Sequence, residues 1–147
     1  MAKTVYIHYG DDRFHDPRPI KNREYFTKPC GGLWASRKYG ESTWKDWCFS
    51  EDFRVDTFDR SFEFTLKDDA RVLELSDVDQ FDNLPILSKE ENGRCGPTYF
   101  LNFEELAKQY DAIEVTNIGN LYFTLYGWDC NSILIMNPDI VEVKEED

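Results

Sequence analysis

Residues 61–66 read Ser-Phe-Glu-Phe-Thr-Leu and residues 71–75 read Arg-Val-Leu-Glu-Leu. A two-residue alternation of this kind commits both runs to half-buried β-strands. The four residues between them, Lys67-Asp68-Asp69-Ala70, suggest a turn, so the expectation is a hairpin. Further strands are expected over 4–9, ending at Gly10-Asp11-Asp12, and over 31–36, 111–115, 121–126, 132–137 and 140–143. Helices interrupt them at two places. Ser42 or Thr43 can cap one that starts near Trp44 and aligns Trp44, Trp47 and Cys48, and Asn102 or Thr98 can open another over 103–110. Segments 11–28, with Pro17 and Pro19, and 77–97, with Asn92-Gly93 and Gly96-Pro97, read as loops. Strands and helices in this irregular order define an α+β chain with a small mixed or antiparallel core and two to three short helices.

The 147 residues suit one domain, 1–147, with an acidic tail at 142–147. An aromatic fraction of 16% supplies enough apolar surface to exclude disorder. With 29 acidic against 17 basic residues the net charge is -12, a field that repels phosphate backbones and anionic membranes. Direct nucleic-acid binding and membrane association are therefore not expected. The same field suits a basic protein partner, as in an acidic inhibitor of the DNA-mimic or phage anti-defence type. Cys30, Cys48, Cys95 and Cys130 form no CxxC pair, and the two histidines, His8 and His15, complete no zinc pattern. The opening MAKTVYIHYG lacks an apolar run of signal-peptide length, so free thiols in a cytoplasmic setting are expected.

Residues 28–48 hold three of the four tryptophans, two cysteines and Gly31-Gly32. Aromatic faces beside glycine backbone suit the wall of a ligand site as well as a loop over a small core. His8 closes the first strand and faces away from Ile7, with Ser36, Tyr9, Tyr25 and Tyr39 as possible neighbours. Cys30 with His8 or His15 would make a cysteine nucleophile only if folding joined them. There is no GxGxxG, GxxxxGK or GxSxG motif.

The ordered set VYIHYG, GGLWASRKYGESTWKDW, FEFTLKDDARVLEL, YDAIEV and ILIMNPDIV resembles the NAD-binding half of the ADP-ribosyltransferase superfamily. The resemblance implies an ADP-ribosyltransferase-like fold that binds NAD and transfers ADP-ribose to a protein or nucleotide target, or a degenerate NAD or ADP-ribose binder. It implies that His8 holds ribose and phosphate, that Ser36 supports the nicotinamide side, with Tyr9 and Gly32 in the same wall, and that Trp34 or Tyr39 stacks on the ring. A glutamate is expected before the closing strand; this chain has Asp129 there, and Asp129 or Glu114 is the candidate carboxylate opposing the charge that develops as nicotinamide leaves. Arg13, Arg18, Lys21 and Arg23 are candidates to meet the pyrophosphate. Binding of a small nucleotide signal without turnover is a third reading.

Overall fold

The computed structural model describes residues 3–11, 13–23, 27–40, 43–52, 59–87, 94–95, 98–125, 128 and 130–143. Its frame is a seven-stranded sheet. In chain order the strands are β1 (Tyr6–Tyr9), β2 (Leu33–Arg37), β3 (Ser61–Leu66), β4 (Val72–Leu75), β7 (Ala112–Val115), β8 (Ser132–Ile135) and β9 (Val141–Val143); β5 (Arg94–Cys95) and β6 (Thr98–Tyr99) form a separate small ladder. The spatial order is β4-β7-β8-β2-β1-β3-β9, and every pair is antiparallel except β4 with β7. The α+β class follows, and no helix among the described residues is long and apolar enough to cross a membrane.

The expected hairpin at residues 67–70 does not form. Ser61–Leu66 pairs with β1 and β9, whereas Val72–Leu75 lies at the other edge of the sheet beside β7. The turn is present, with the Ala70 N–H donating to Lys67 O, but the chain leaves it in a new direction. Arg71 is then held by Asp111, whose carboxylate accepts the Arg71 N–H at 2.8 Å and fixes the start of β4 against the start of β7. Alternation marks which residues face inward; it carries no partner assignment.

The strand expected over 121–126 is replaced, over the described residues 121–125, by the last residue of a short helix, α3 (Ile118–Leu121), and the turns that follow it. Leu121 and Leu125, four apart, are both fully buried and joined by a Leu125 N–H to Leu121 O bond of 2.8 Å, a helical spacing within an aromatic run. Tyr126 lies outside the described residues. Inside the loop expected at 77–97, a 3-10 turn over Val78–Asn83 is closed by an Asp77–Gln80 capping box and buries Phe81.

The longer helices start where their caps predict. Thr43 accepts the Asp46 N–H and opens α1 (Trp44–Glu51), and Asn102 accepts the Glu105 N–H and opens α2 (Phe103–Gln109). Only Cys48 of α1 is buried; Trp44 and Trp47 stack on one another, centroids 5.3 Å apart, half-covered at the surface.

Two apolar layers cover the sheet. One face carries Tyr6, Leu33, Ala35, Phe62, Phe64, Ile133 and Ile135. The other packs Ile113, Val115 and Leu134 against α2, α3, the 3-10 turn and Trp128. Burial of β7 and β8 on both faces goes with residues that are apolar apart from Glu114 and Ser132.

Candidate functional site

The strands β1 and β2 pair at Tyr6↔Arg37 and Ile7↔Ser36, and the ladder ends there. Beyond that point β1 stays with β3 while β2 stays with β8. A cleft of about 300 Å3 opens beside the parting strands, lined by Ile7, His8, Tyr9, Lys28, Trp34, Ala35, Ser36, Trp44, Trp128, Cys130 and Ser132. Its volume is at the lower end of small-ligand sites.

His8 sits at the divergence. Its Nδ1 lies 2.6 Å from the Trp34 carbonyl oxygen, which only accepts, so this nitrogen donates. Its Nε2 lies 3.1 Å from the Asp11 carboxylate, and its ring packs on Phe62 at 5.1 Å. The imidazole bridges the gap between strands that no longer bond each other. The expected direction, away from Ile7, agrees with this packing.

Ser36 is 2% exposed and its hydroxyl is engaged twice: it donates to Asn131 O at 3.2 Å and accepts the Trp44 N–H at 3.0 Å. It therefore ties β2 to the first residue of α1 and to the approach to β8, holding two walls of the cleft together. Trp34 and Trp128 meet edge to face, 4.8 Å apart and inclined by 74°, and form an aromatic corner. Lys28 lies over Trp34 at 5.5 Å, and Lys45 over Tyr9 at 5.9 Å. Burial pushes the Tyr9 phenol up, with Glu63 adding to it and Lys38 opposing.

Four of the residues expected around a nicotinamide-type ligand, His8, Tyr9, Trp34 and Ser36, thus line one cleft. Gly32 does not. It has φ +77, and the space its side chain would fill is taken by Leu134 and Ile20, so this glycine serves core packing. Tyr39 is 85% exposed beside Lys38 and is not among the lining residues. Glu114 shares a sheet face with Ala35, Arg37 and Tyr6, opposite to Trp34 and Ser36. It is locked there, taking 2.7 and 3.0 Å bonds from Arg37 and a 2.9 Å bond from the Tyr6 hydroxyl. Asp129 lies outside the described residues, as do Tyr25 and Gly127; the residues flanking Asp129, Trp128 and Cys130, both line the cleft. Cys30 is exposed and bridged to Lys21 through backbone bonds, and no hydrogen bond joins it to His8.

Lys28, Trp44, Trp128, Cys130 and Ser132 complete the wall without having been singled out as site residues. The aromatic concentration at 28–48 marked the region of Lys28 and Trp44. Trp128 lies outside that stretch and gave no such signal. Comparison with protein-family models, with curated proteins and with solved structures finds no match to this chain.

Proposed function

We propose that the cleft binds NAD and that the chain is an NAD-dependent mono-ADP-ribosyltransferase-like protein acting on a protein or nucleotide target. The observation that carries this reading is the convergence of His8, Tyr9, Trp34 and Ser36, residues as far apart as 28 positions in the chain, on one aromatic cleft. The site suits a flat ring linked to a sugar: Trp34, Trp44, Trp128 and Tyr9 offer aromatic faces, and His8 and Ser132 bring polar groups among them. Transfer would break the bond between nicotinamide and ribose and form one from the same ribose carbon to an acceptor. A carboxylate at Asp129 would oppose the positive charge that develops on the sugar. A chain that binds NAD without turning it over would be a degenerate member of the same class.

The test incubates the full chain and labelled NAD with a cell lysate, alongside His8→Ala and Asp129→Ala, and measures NAD affinity by calorimetry. Label transfer that Asp129→Ala abolishes supports the transferase. Binding without transfer selects the degenerate binder, and absence of both removes the reading.

A further inference from the structure

We propose that Lys28 makes this cleft selective for a phosphate-bearing ligand, and that the Trp128–Thr27 hydrogen bond positions it; the inference rests on the reading of the cleft as a nucleotide site.

Lys28 is the only lysine or arginine among the described lining residues, and none of those residues is a carboxylate. In a chain of net charge -12 that local balance is unusual. Three other lysine ammonium groups are neutralised, Lys3 by Asp68 at 3.0 Å, Lys38 by Glu63 at 2.8 Å and Lys108 by Glu105 at 2.9 Å, whereas Lys21, Lys45 and Lys67, like Lys28, make no ion pair among the described residues. Lys28 has no ion-pair partner among the described residues and rests over the Trp34 ring at 5.5 Å. A cation at that distance from a ring is weakly held and free to exchange the contact for a phosphate oxygen.

The backbone that carries it is fixed on both sides. The Trp128 indole N–H donates to Thr27 O at 2.7 Å in a buried bond. Two residues beyond Lys28, Cys30 exchanges both backbone bonds with Lys21, at 3.0 and 2.9 Å. The next residue along, Asn22, accepts the Phe103 and Glu104 N–H groups and so pins the same loop to the start of α2. Trp128 is at once an aromatic wall and the tether of the cation, so a ring placed in the Trp34–Trp128 corner has an ammonium group at a set position. A flat ring with an attached phosphate meets both demands, which is the chemistry of a nucleotide.

The experiment titrates the full chain, by tryptophan fluorescence and calorimetry, with two pairs that differ by one phosphate: adenosine with AMP, and nicotinamide riboside with nicotinamide mononucleotide. NAD is titrated in parallel. At least one phosphorylated member should bind about tenfold or more tightly than its partner, and high salt should shrink the gap. Lys28→Met should close the gap by weakening the phosphorylated member far more than its nucleoside, and Lys28→Arg should keep it. Trp128→Phe, which retains a ring but removes the donor, should narrow the gap in protein whose circular dichroism matches the parent. A gap that survives Lys28→Met overturns the inference alone, even where NAD binds. A gap that depends on Lys28 in a chain that neither binds nor turns over NAD sustains the inference and removes the NAD reading. Failure of all five compounds to bind overturns both.

Discussion

Arg37 grips the Glu114 carboxylate with its Nε at 2.7 Å and its Nη2 at 3.0 Å, across a sheet in which the two residues stand on strands separated by β8. The Tyr6 hydroxyl donates to the same carboxylate from β1. One buried charge thus joins three strands of the sheet, and its oxygens are used for structure.

Removing Arg37 should leave that charge with the Tyr6 hydroxyl as its remaining support. Breaking a fully buried pair costs about 3–5 kcal/mol, and water access to Arg37 lowers the expectation to about 2–3 kcal/mol for Arg37→Met. Glu114→Gln should destabilise by a smaller amount and leave nucleotide affinity within about twofold, since Glu114 is not among the lining residues of the cleft. Urea denaturation with a parallel NAD titration separates the two effects, and a Glu114→Gln chain of full stability that no longer binds would return Glu114 to the site.

Two groups should shape stability against pH from opposite ends. Burial raises the Asp111 carboxyl, but the Arg71 backbone and side-chain bonds and the Asn137 amide outweigh it, and the net direction is down. The native state therefore favours the charged form: the stability Asp111 contributes is present above the unfolded value of about 4 and is lost as pH falls through the lower native value. Burial, the charge of Glu114 and its hydrogen bond push the Tyr6 phenol up against the opposing Arg37. Its contribution is complete below the unfolded value of about 10 and is lost as pH rises through the higher native one. Asp111→Asn should flatten the acid limb and Tyr6→Phe the alkaline limb of urea midpoints measured against pH.

Ser36 and Thr43 both serve the start of α1, by different routes. Thr43→Ala removes a cap and should cost about 1 kcal/mol. Ser36→Ala removes the hydroxyl's bonds to the Asn131 carbonyl and the Trp44 N–H together and should cost about 1–3 kcal/mol. Thermal melts give the order, and ligand titration adds a second test: if Ser36 also touches the ligand, Ser36→Ala loses affinity beyond what Thr43→Ala loses.

Gly31 has φ +82, and a methyl group there would collide with the Pro19 carbonyl oxygen, which is backbone and cannot rotate away. Gly31→Ala should cost about 1–3 kcal/mol and displace the loop that carries Lys28. A melting temperature equal to that of the parent chain would show that the loop yields without penalty.

The sequence by itself determined the local pieces. Thr43 and Asn102 announced their helices because a cap is a contact between residues three apart, and the alternation in 61–66 fixed which side chains turn inward. It also placed one wall of the cleft, since Trp34 and Ser36 lie two apart on a single strand and must share a face. Only the tertiary structure decided the partners. Whether Leu66 hands the chain to a hairpin or across the whole sheet depends on Asp111, 40 residues from Arg71, and the meeting of Trp128 with Trp34 and Thr27 joins positions about a hundred residues apart. Such contacts come from burial and from the need to pair polar groups once buried, and these forces act on proximity in space, which no local pattern encodes.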